Sequence, residues 1–484
     1  MKKLNFIIKC GLALLLLSFY SCESWLNVTP SDRLSEEMLF NDREGFVKAL
    51  NGVYIELNTN ELYGRNLTAG ALDVMGQYYS VASSSHAFYN YGGLVYTGND
   101  EKALFDNMWQ KCYAVIACCN TIIEKCDENK AGLSPVWRGS IKGEALALRA
   151  MLHFDMLRLF GPLTSELDKE SIPYQTNSDQ TVTPLLSGSE VVGLILDDLK
   201  NAVGLLKDTD PYFVEEEFSD TDLNYRRFRM NYFAAKGLMA RVQLWGGDKE
   251  KAAATAKEVI AEGQAEGAEF FPFVTNSEAT SSNPDRGFYS EVLFGTYHSS
   301  REKLHEDLFA PTLESTSILT LAGTARRDDL YDNENDYRYS VWSTYNKNGT
   351  SVLYHRKFEK QDNVTASRQY MIPLIRMSEM YLIAVECCKL DEASVYLNTF
   401  RNARNCNSLA LTEDNRINIL ANEYKKEMLG EGQLFFFYKR QEMVNIPDGN
   451  QATGTKNVEL AKYVVPLPES ETDQRISSTD ISNE

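Results

Sequence analysis

Apolar residues recur three and four positions apart through most of this chain, and that spacing predicts helices. The clearest runs are 44–57, 99–127, 137–160 and 190–206. The third is rich in alanine and leucine and stops at Gly161-Pro162, a pair that ends a helix because glycine frees the backbone and proline cannot continue it. Further on, 231–245 and 249–262 flank Gly246-Gly247-Asp248 and read as helix, tight turn, helix. Ala252, Ala253 and Ala256 keep the second helix slim, so the two can approach closely. Two more pairs follow, 378–389 with 392–405 and 415–429 with 433–441. A helix pair cannot bury its apolar face alone, so such pairs stack. The pattern predicts an all-α, mainly helical fold of tetratricopeptide-like helix pairs.

Two stretches break the helical period. Residues 76–100 (GQYYSVASSSHAFYNYGGLVYTGND) are dense in tyrosine, serine and glycine. Residues 275–367 form a long irregular region with Pro284, Pro311, Trp342 and many tyrosines. Loops of such length in a folded protein carry function or small sub-structures. A rigid helical scaffold with aromatic-rich insertions is the outline of a binding protein.

Composition narrows the choice of ligand. The net charge of −19 argues against nucleic acid and anionic headgroups as partners, and suits solubility. Aromatic content is 11%, with 26 tyrosines, each offering an apolar ring and a polar edge. Cys112, Cys119 and Cys126 are seven apart, on one helical face with Phe105, Trp109, Ile116 and Ile123. They read as small buried apolar residues, as do Cys387, Cys388 and Cys406. No histidine lies near Cys112, Cys118 and Cys119, and their spacing does not fit a zinc site. The five histidines (His86, His153, His298, His305 and His355) form no two-on-one-face metal pair. No nucleophile elbow, phosphate loop or dinucleotide fingerprint is present, and nothing argues for catalysis, a cofactor or a metal. Arg149, Arg376, Glu379, Glu386 and Glu423 read as helix-borne ion pairs between packed repeats, and Glu144 fits helix packing in the same way.

The N-terminus carries its own signal. Lys2, Lys3 and Lys9 precede an apolar run from Cys10 to Tyr20, followed by Ser21 and Cys22. A basic region, a short apolar region and a small residue before cysteine form a secretory signal. The run is shorter than the ~20 apolar residues that span a bilayer. With Cys22 at the cut, residues 1–21 resemble a bacterial lipoprotein signal, which implies lipidation of Cys22 and anchoring to a membrane through acyl chains alone. An ordinary cleaved signal with an incidental Cys22 is the alternative.

An ordered set of motifs runs through the rest. Trp25-Leu26-Asn27-Val28-Thr29-Pro30-Ser31-Asp32 is followed by Ala49-Leu50-Asn51-Gly52-Val53-Tyr54. Gly143-Glu144-Ala145, Leu148-Arg149-Ala150 and Phe160-Gly161-Pro162 come next, then Ala234-Ala235-Lys236-Gly237-Leu238. Ile372-Pro373-Leu374-Ile375-Arg376-Met377-Ser378-Glu379-Met380-Tyr381-Leu382, Glu423-Tyr424-Lys425-Lys426-Glu427-Met428 and Val465-Pro466-Leu467-Pro468 complete it. Together they resemble the SusD/RagB family of outer-membrane nutrient-binding lipoproteins. Lys425 and Lys426 stand where that family usually has arginines.

The resemblance implies a SusD-like α-α superhelix over 22–484, with a part at about 22–270, a loop-rich insertion at about 275–367 and a closing part at about 368–484. It implies a lipid-anchored protein at the outer membrane, facing the exterior, that captures an oligosaccharide and hands it to a SusC-like TonB-dependent transporter. A peptide ligand, a surface adhesin with a protein partner and a lipid-anchored hydrolase are the other readings. Aromatic faces stack on the C–H faces of sugar rings while polar groups bond the hydroxyls. In the family, ligand contacts commonly come from the regions of the two insertions. The candidate binding residues are Asp73, Tyr78, Tyr79, Tyr89, Tyr91 and Tyr96 from the first and Tyr289, Tyr297, Trp342 and Tyr345 from the second. Trp342 stands out because polar residues flank it. The competing role for each ring is packing the loops against the scaffold. Trp109, Trp137 and Trp245, on helical faces, read as core.

Overall fold

The computed structural model describes residues 36–179, 182–267, 269–473 and 475. The signal, Cys22 and the Trp25 to Asp32 motif lie outside the described residues. Among the described residues, no helix is long and apolar enough to cross a membrane.

The fold is predominantly helical. The helices of eight or more residues are α1 (Arg43–Leu57), α2 (Asn99–Glu128), α3 (Pro135–Phe160), α4 (Gly188–Thr209), α5 (Tyr232–Trp245), α6 (Lys249–Gly263), α7 (Arg301–Leu308), α8 (Met377–Cys387), α9 (Leu390–Ala403), α10 (Arg416–Glu427) and α11 (Gln433–Arg440). Their starts follow from capping chemistry. Asp42 accepts from Gly45 N–H, Ser134 from Trp137 N–H with Pro135 behind it, Asn231 from Ala234 N–H and Asp248 from Lys251 N–H. Ser187 and Glu190 close a capping box on α4. In the turn from α5 to α6, Gly247 takes φ +83°, where a side chain would be strained.

The helices pack in a run, α2 on α3, α3 on α4, α4 on α5, α5 on α6, α6 on α8 and α8 on α9. Close approach of α3 and α4 needs two glycines on α3. A Cβ on Gly139 would lie 2.6 Å from Thr209, and one on Gly143 would lie 2.8 Å from Leu206. Cys112, Cys119 and Cys126 are buried on the packed side of α2, as are Trp109 and Trp245 on their helices. Trp137 is half-buried and stacks on Phe218, ring centres 4.5 Å apart.

The long stretch 275–367 is not featureless. It contains β3 (Val292–Tyr297), α7, a short helix Thr324–Leu330 and the hairpin β4 (Trp342–Lys347) with β5 (Thr350–His355). β3 pairs antiparallel with β6 (Met371–Arg376), and β6, buried along its whole length, leads straight into α8. The β4–β5 turn is Asn348-Gly349, both at positive φ, the turn whose twist matches a two-residue hairpin. Two further ladders, β1 (Glu170–Pro173) with β2 (Leu185–Ser187) and β7 (Asn445–Pro447) with β8 (Thr455–Asn457), are short.

Buried ion pairs tie these parts together. Arg149 grips Asp198 with two bonds of 2.7 Å, joining α3 to α4. Glu144 holds Arg226 and Arg229, Glu379 holds Arg241, and Glu386 holds Arg440. The densest cluster centres on α10. Glu427 receives Arg376, Arg404 and Arg338; Arg404 also bonds Glu291 at 2.6 Å. Glu423 receives Arg338, Arg401 and Lys426. The bidentate arginine geometry answers the desolvation of each charge, so the seam fixes register between the insertion, β6 and the helices.

Candidate functional site

The first insertion is bolted to the scaffold from below. Asp73 is fully enclosed, its carboxylate accepting from Gly430 N–H at 2.6 Å, Gly432 N–H at 2.9 Å and Tyr79 O–H at 3.3 Å. Burial lifts its carboxyl to about 7, against the pull of the two glycine N–H groups. Gly430 and Gly432 lie at φ +81° and +69°, and a Cβ on Gly432 would sit 2.3 Å from the Leu67 carbonyl oxygen. Tyr78 donates to the Tyr424 carbonyl at 3.1 Å and Tyr96 to the Lys462 carbonyl at 2.7 Å. Gln77, at φ 63°, donates to the carbonyls of Val74, Met75 and Gly92 and closes the base of the loop. Tyr91 is buried against Phe88 and Phe105.

Two rings of the second insertion are also internal. Tyr289 packs with Phe228, Val292 and Met371, and Arg301 donates to its hydroxyl. Trp342, 5% exposed, donates through Nε1 to the Tyr331 hydroxyl at 3.2 Å and lies against His355. As the first residue of β4 it sits at the buried root of the hairpin, so its polar sequence neighbours do not bring it to the surface. Asp73, Tyr78, Tyr79, Tyr96, Tyr289 and Trp342 thus point their polar atoms into the protein, and the Tyr91 ring is buried with them.

The three remaining rings are open to solvent: Tyr89 at 43%, Tyr297 at 39% and Tyr345 at 45% exposed. Tyr89 and Tyr345 belong to two elements, the first loop and the β4–β5 hairpin, that are both hydrogen-bonded to one turn-rich segment, 309–320. The loop side is fixed by Ser80 N–H to the Thr320 carbonyl, Ala87 N–H to the Thr316 carbonyl and His86 Nε2 against the Ile318 carbonyl. The hairpin side is fixed by Lys347, which donates to the carbonyls of Thr312 and Leu313, and by Thr320 Oγ1 donating to the Leu353 carbonyl. A third element, the β7–β8 turn, accepts Val81 N–H at 2.7 Å through Asn450. Ser83, Ser84 and Ser85, on the loop that leads to Tyr89, are exposed; Thr344 and Asn346, beside Tyr345 on β4, are exposed on the other face of the hairpin. The face is rigid, aromatic and polar without an exposed cation pair of its own.

Tyr297 belongs to a different surface. Its ring stacks at 4.9 Å on Tyr370 and meets Tyr225 and Phe228 at 6.2 and 5.2 Å. Beside this group lies a cavity of about 230 Å³ lined by Trp137, Phe218, Tyr225, Arg226 and Arg229 among others. Tyr225 and Tyr370 fall outside the two aromatic stretches, and only the β3–β6 pairing, which puts Tyr297 opposite Met371, draws Tyr370 in. Among the described residues no group of three or more His, Cys, Asp or Glu is placed to hold a metal ion.

Two family profiles together match most of the chain. The profile described as "Starch-binding associating with outer membrane" covers residues 24–244, and that of the SusD family covers 281–476. The chain belongs to the SusD family. SusD-like protein P2 of Formosa agariphila is 22% identical over 96% of both chains. A SusD-like protein of Bacteroides ovatus is 30% identical over 29% of this chain and 23% of its own. A SusD superfamily protein of Bacteroides thetaiotaomicron superposes with a TM-score of 0.71 at 21% identity, covering 89% of this chain and 98% of its own. A laminarin binding SusD-like protein superposes at 0.64 with 18% identity, covering 89% and 97%. At these identities the structures show a shared fold.

Proposed function

We propose that this SusD-family protein captures oligosaccharides at the cell surface and passes them to a SusC-like TonB-dependent transporter. On this reading residues 1–21 are a signal, Cys22 carries lipid, and 22–484 is one SusD-like unit whose helix pairs act as a tetratricopeptide-like superhelix. The helical side meets the transporter and the loop face meets the ligand. The observation that carries the reading is the face of Tyr89 and Tyr345: two outward rings on elements braced from beneath by hydrogen bonds. A pre-formed platform of this kind limits the ordering cost of binding, and the exposed serines on the loop beside Tyr89 suit sugar hydroxyls. The protein acts as a binder that returns its ligand unchanged. The laminarin binding relative makes β-glucans a first probe.

The test is calorimetric titration with glucans and other neutral glycans, beside mixed peptides. Saturable glycan binding that weakens in Tyr89→Ala and Tyr345→Ala, with the glycan recovered intact, supports the reading. Peptide binding in place of glycan binding keeps uptake and changes the nutrient. Binding to neither favours a protein partner and the adhesin reading.

A further inference from the structure

A cavity that shares no residue with the Tyr89 and Tyr345 face opens on the helical scaffold. It measures about 230 Å³ and is lined by α1, α3 and the connection 211–229 between α4 and α5. Leu50, Ser140, Ile141 and Glu144 are buried in its lining, whereas Asn51 and Tyr225 are exposed, so a closed floor meets solvent at an open rim. Trp137 and Phe218 form an aromatic wall, their rings 4.5 Å apart. The Arg43 guanidinium lies 4.7 Å from the centre of the Trp137 ring, and the two contacts hold the indole in place.

The charges of the lining cancel, and some of its polar atoms stay open. Arg226 and Arg229 stand against Glu144 and Asp222; Glu144 bonds both arginines, and Arg226 is saturated by Glu144 and by Asp210 beyond it. Arg229 is held at Nε by Glu144 and at Nη1 by Asn51, while its Nη2 has no partner among the described residues. Ser140 is 3% exposed, and neither its hydroxyl nor the Trp137 Nε1–H bonds to any described residue. Asp222 uses Oδ2 to cap Ser219 and keeps Oδ1 as an acceptor. Fixed donors and an acceptor beside aromatic and aliphatic walls complement a ring that carries hydroxyls on its edge and C–H groups on its faces. A wholly apolar guest would leave the buried Ser140 hydroxyl unmet, and an ion would find no counter-charge.

We infer that this cavity is a second sugar site, separate from the loop face, that takes one neutral ring at the end of a glycan. Its volume lies below the ~300–1,000 Å³ of pockets that enclose drug-sized ligands, so it suits a single ring and not a chain. The site rests on the reading of this protein as a glycan binder but uses none of the residues that carry that reading.

Trp137 supplies the signal, because Trp109, Trp245 and Trp342 are 5% exposed or less and so shielded from a dissolved quencher. Methyl glucoside, methyl galactoside and methyl mannoside are each titrated into the protein while acrylamide quenching of its tryptophan fluorescence is followed. At least one should protect saturably, in the millimolar range expected of so small a ligand. Ser140→Ala and Tyr225→Ala should each raise the dissociation constant about fivefold, one by losing a hydroxyl at the floor and the other a ring at the rim. Trp137→Phe should remove the signal, and Tyr89→Ala and Tyr345→Ala should leave it unchanged. No protection by any of the three glycosides overturns the site, whatever oligosaccharides do at the loop face. Protection that is undiminished in both Ser140→Ala and Tyr225→Ala, or that is lost in Tyr89→Ala, overturns it as well. Tyr225→Ala, at an exposed position, keeps the test decisive should Ser140→Ala fold poorly. Oligosaccharide binding that ignores Tyr89 and Tyr345 while a methyl glycoside still protects Trp137 removes the loop-face reading and keeps this site.

Discussion

The α10 seam and the loop face it supports treat charged and aromatic groups in opposite ways. In the seam, Glu423 and Glu427 gather Arg338, Arg376, Arg401, Arg404 and Lys426 in the buried interior. On the face, Tyr89 and Tyr345 stand in solvent while the elements that carry them are hydrogen-bonded to the rest of the fold. Saturated charge marks the part that holds the fold, and rings left in solvent mark the part that can receive something.

The largest effect should come from breaking the seam. Glu427→Ala strips three arginines of their shared carboxylate and should cost about 3–5 kcal/mol, read from denaturant unfolding. Trp342→Ala comes next. It removes a buried ring and the bond to Tyr331, for a loss of about 3 kcal/mol in stability, so any loss of glycan binding should track unfolding. The exposed rings should behave in reverse. Tyr89→Ala and Tyr345→Ala should each lower glycan affinity by about 1–2 kcal/mol with unfolding midpoints unchanged. Tyr297→Ala distinguishes the two aromatic surfaces, since it should leave affinity intact if ligand sits on the Tyr89 and Tyr345 face.

The smallest effect concerns the two lysines. Lys426→Met should destabilise through the stranded Asp332 and Glu423, and Lys425→Met should not. Burial, aided by Arg326 and Lys426 and opposed by Asp329, pushes the Lys425 ammonium down to about 8. The folded protein therefore sheds this proton before the unfolded chain does. Stability should rise with pH from 8 toward the ordinary lysine value of 10.5, and Lys425→Met should remove that slope.

Much of the helical scaffold was legible because its boundaries are local chemistry. Asp42, Ser134, Ser187, Asn231 and Asp248 cap their own helices, and the observed ends fall within three residues of those read from periodicity. The ion-pair reading of Arg149, Arg376, Glu379, Glu386 and Glu423 followed from charges on apolar helical faces, which must find partners there. The site was harder to read. Without a period, nothing in the sequence around Tyr78, Tyr79 or Tyr91 says which ring turns inward; Tyr78, for one, is held by the Tyr424 carbonyl, hundreds of residues away. Trp342 looked exposed from its polar neighbours, but its ring is set by hairpin register and by Tyr331. Asn348-Gly349, a hairpin signal inside the stretch read as irregular, went unused there, and the structure places it at the β4–β5 turn.

The central claim is that the rigid Tyr89 and Tyr345 face takes the ligand while the interior rings hold the fold. Calorimetric titration of one glycan that binds the wild type into Tyr345→Ala and Tyr89→Ala, with melting curves run alongside, tests it most directly. The account predicts affinity losses of about tenfold in each variant at unchanged melting temperature. Unchanged affinity in both variants would contradict it and move the ligand to another surface.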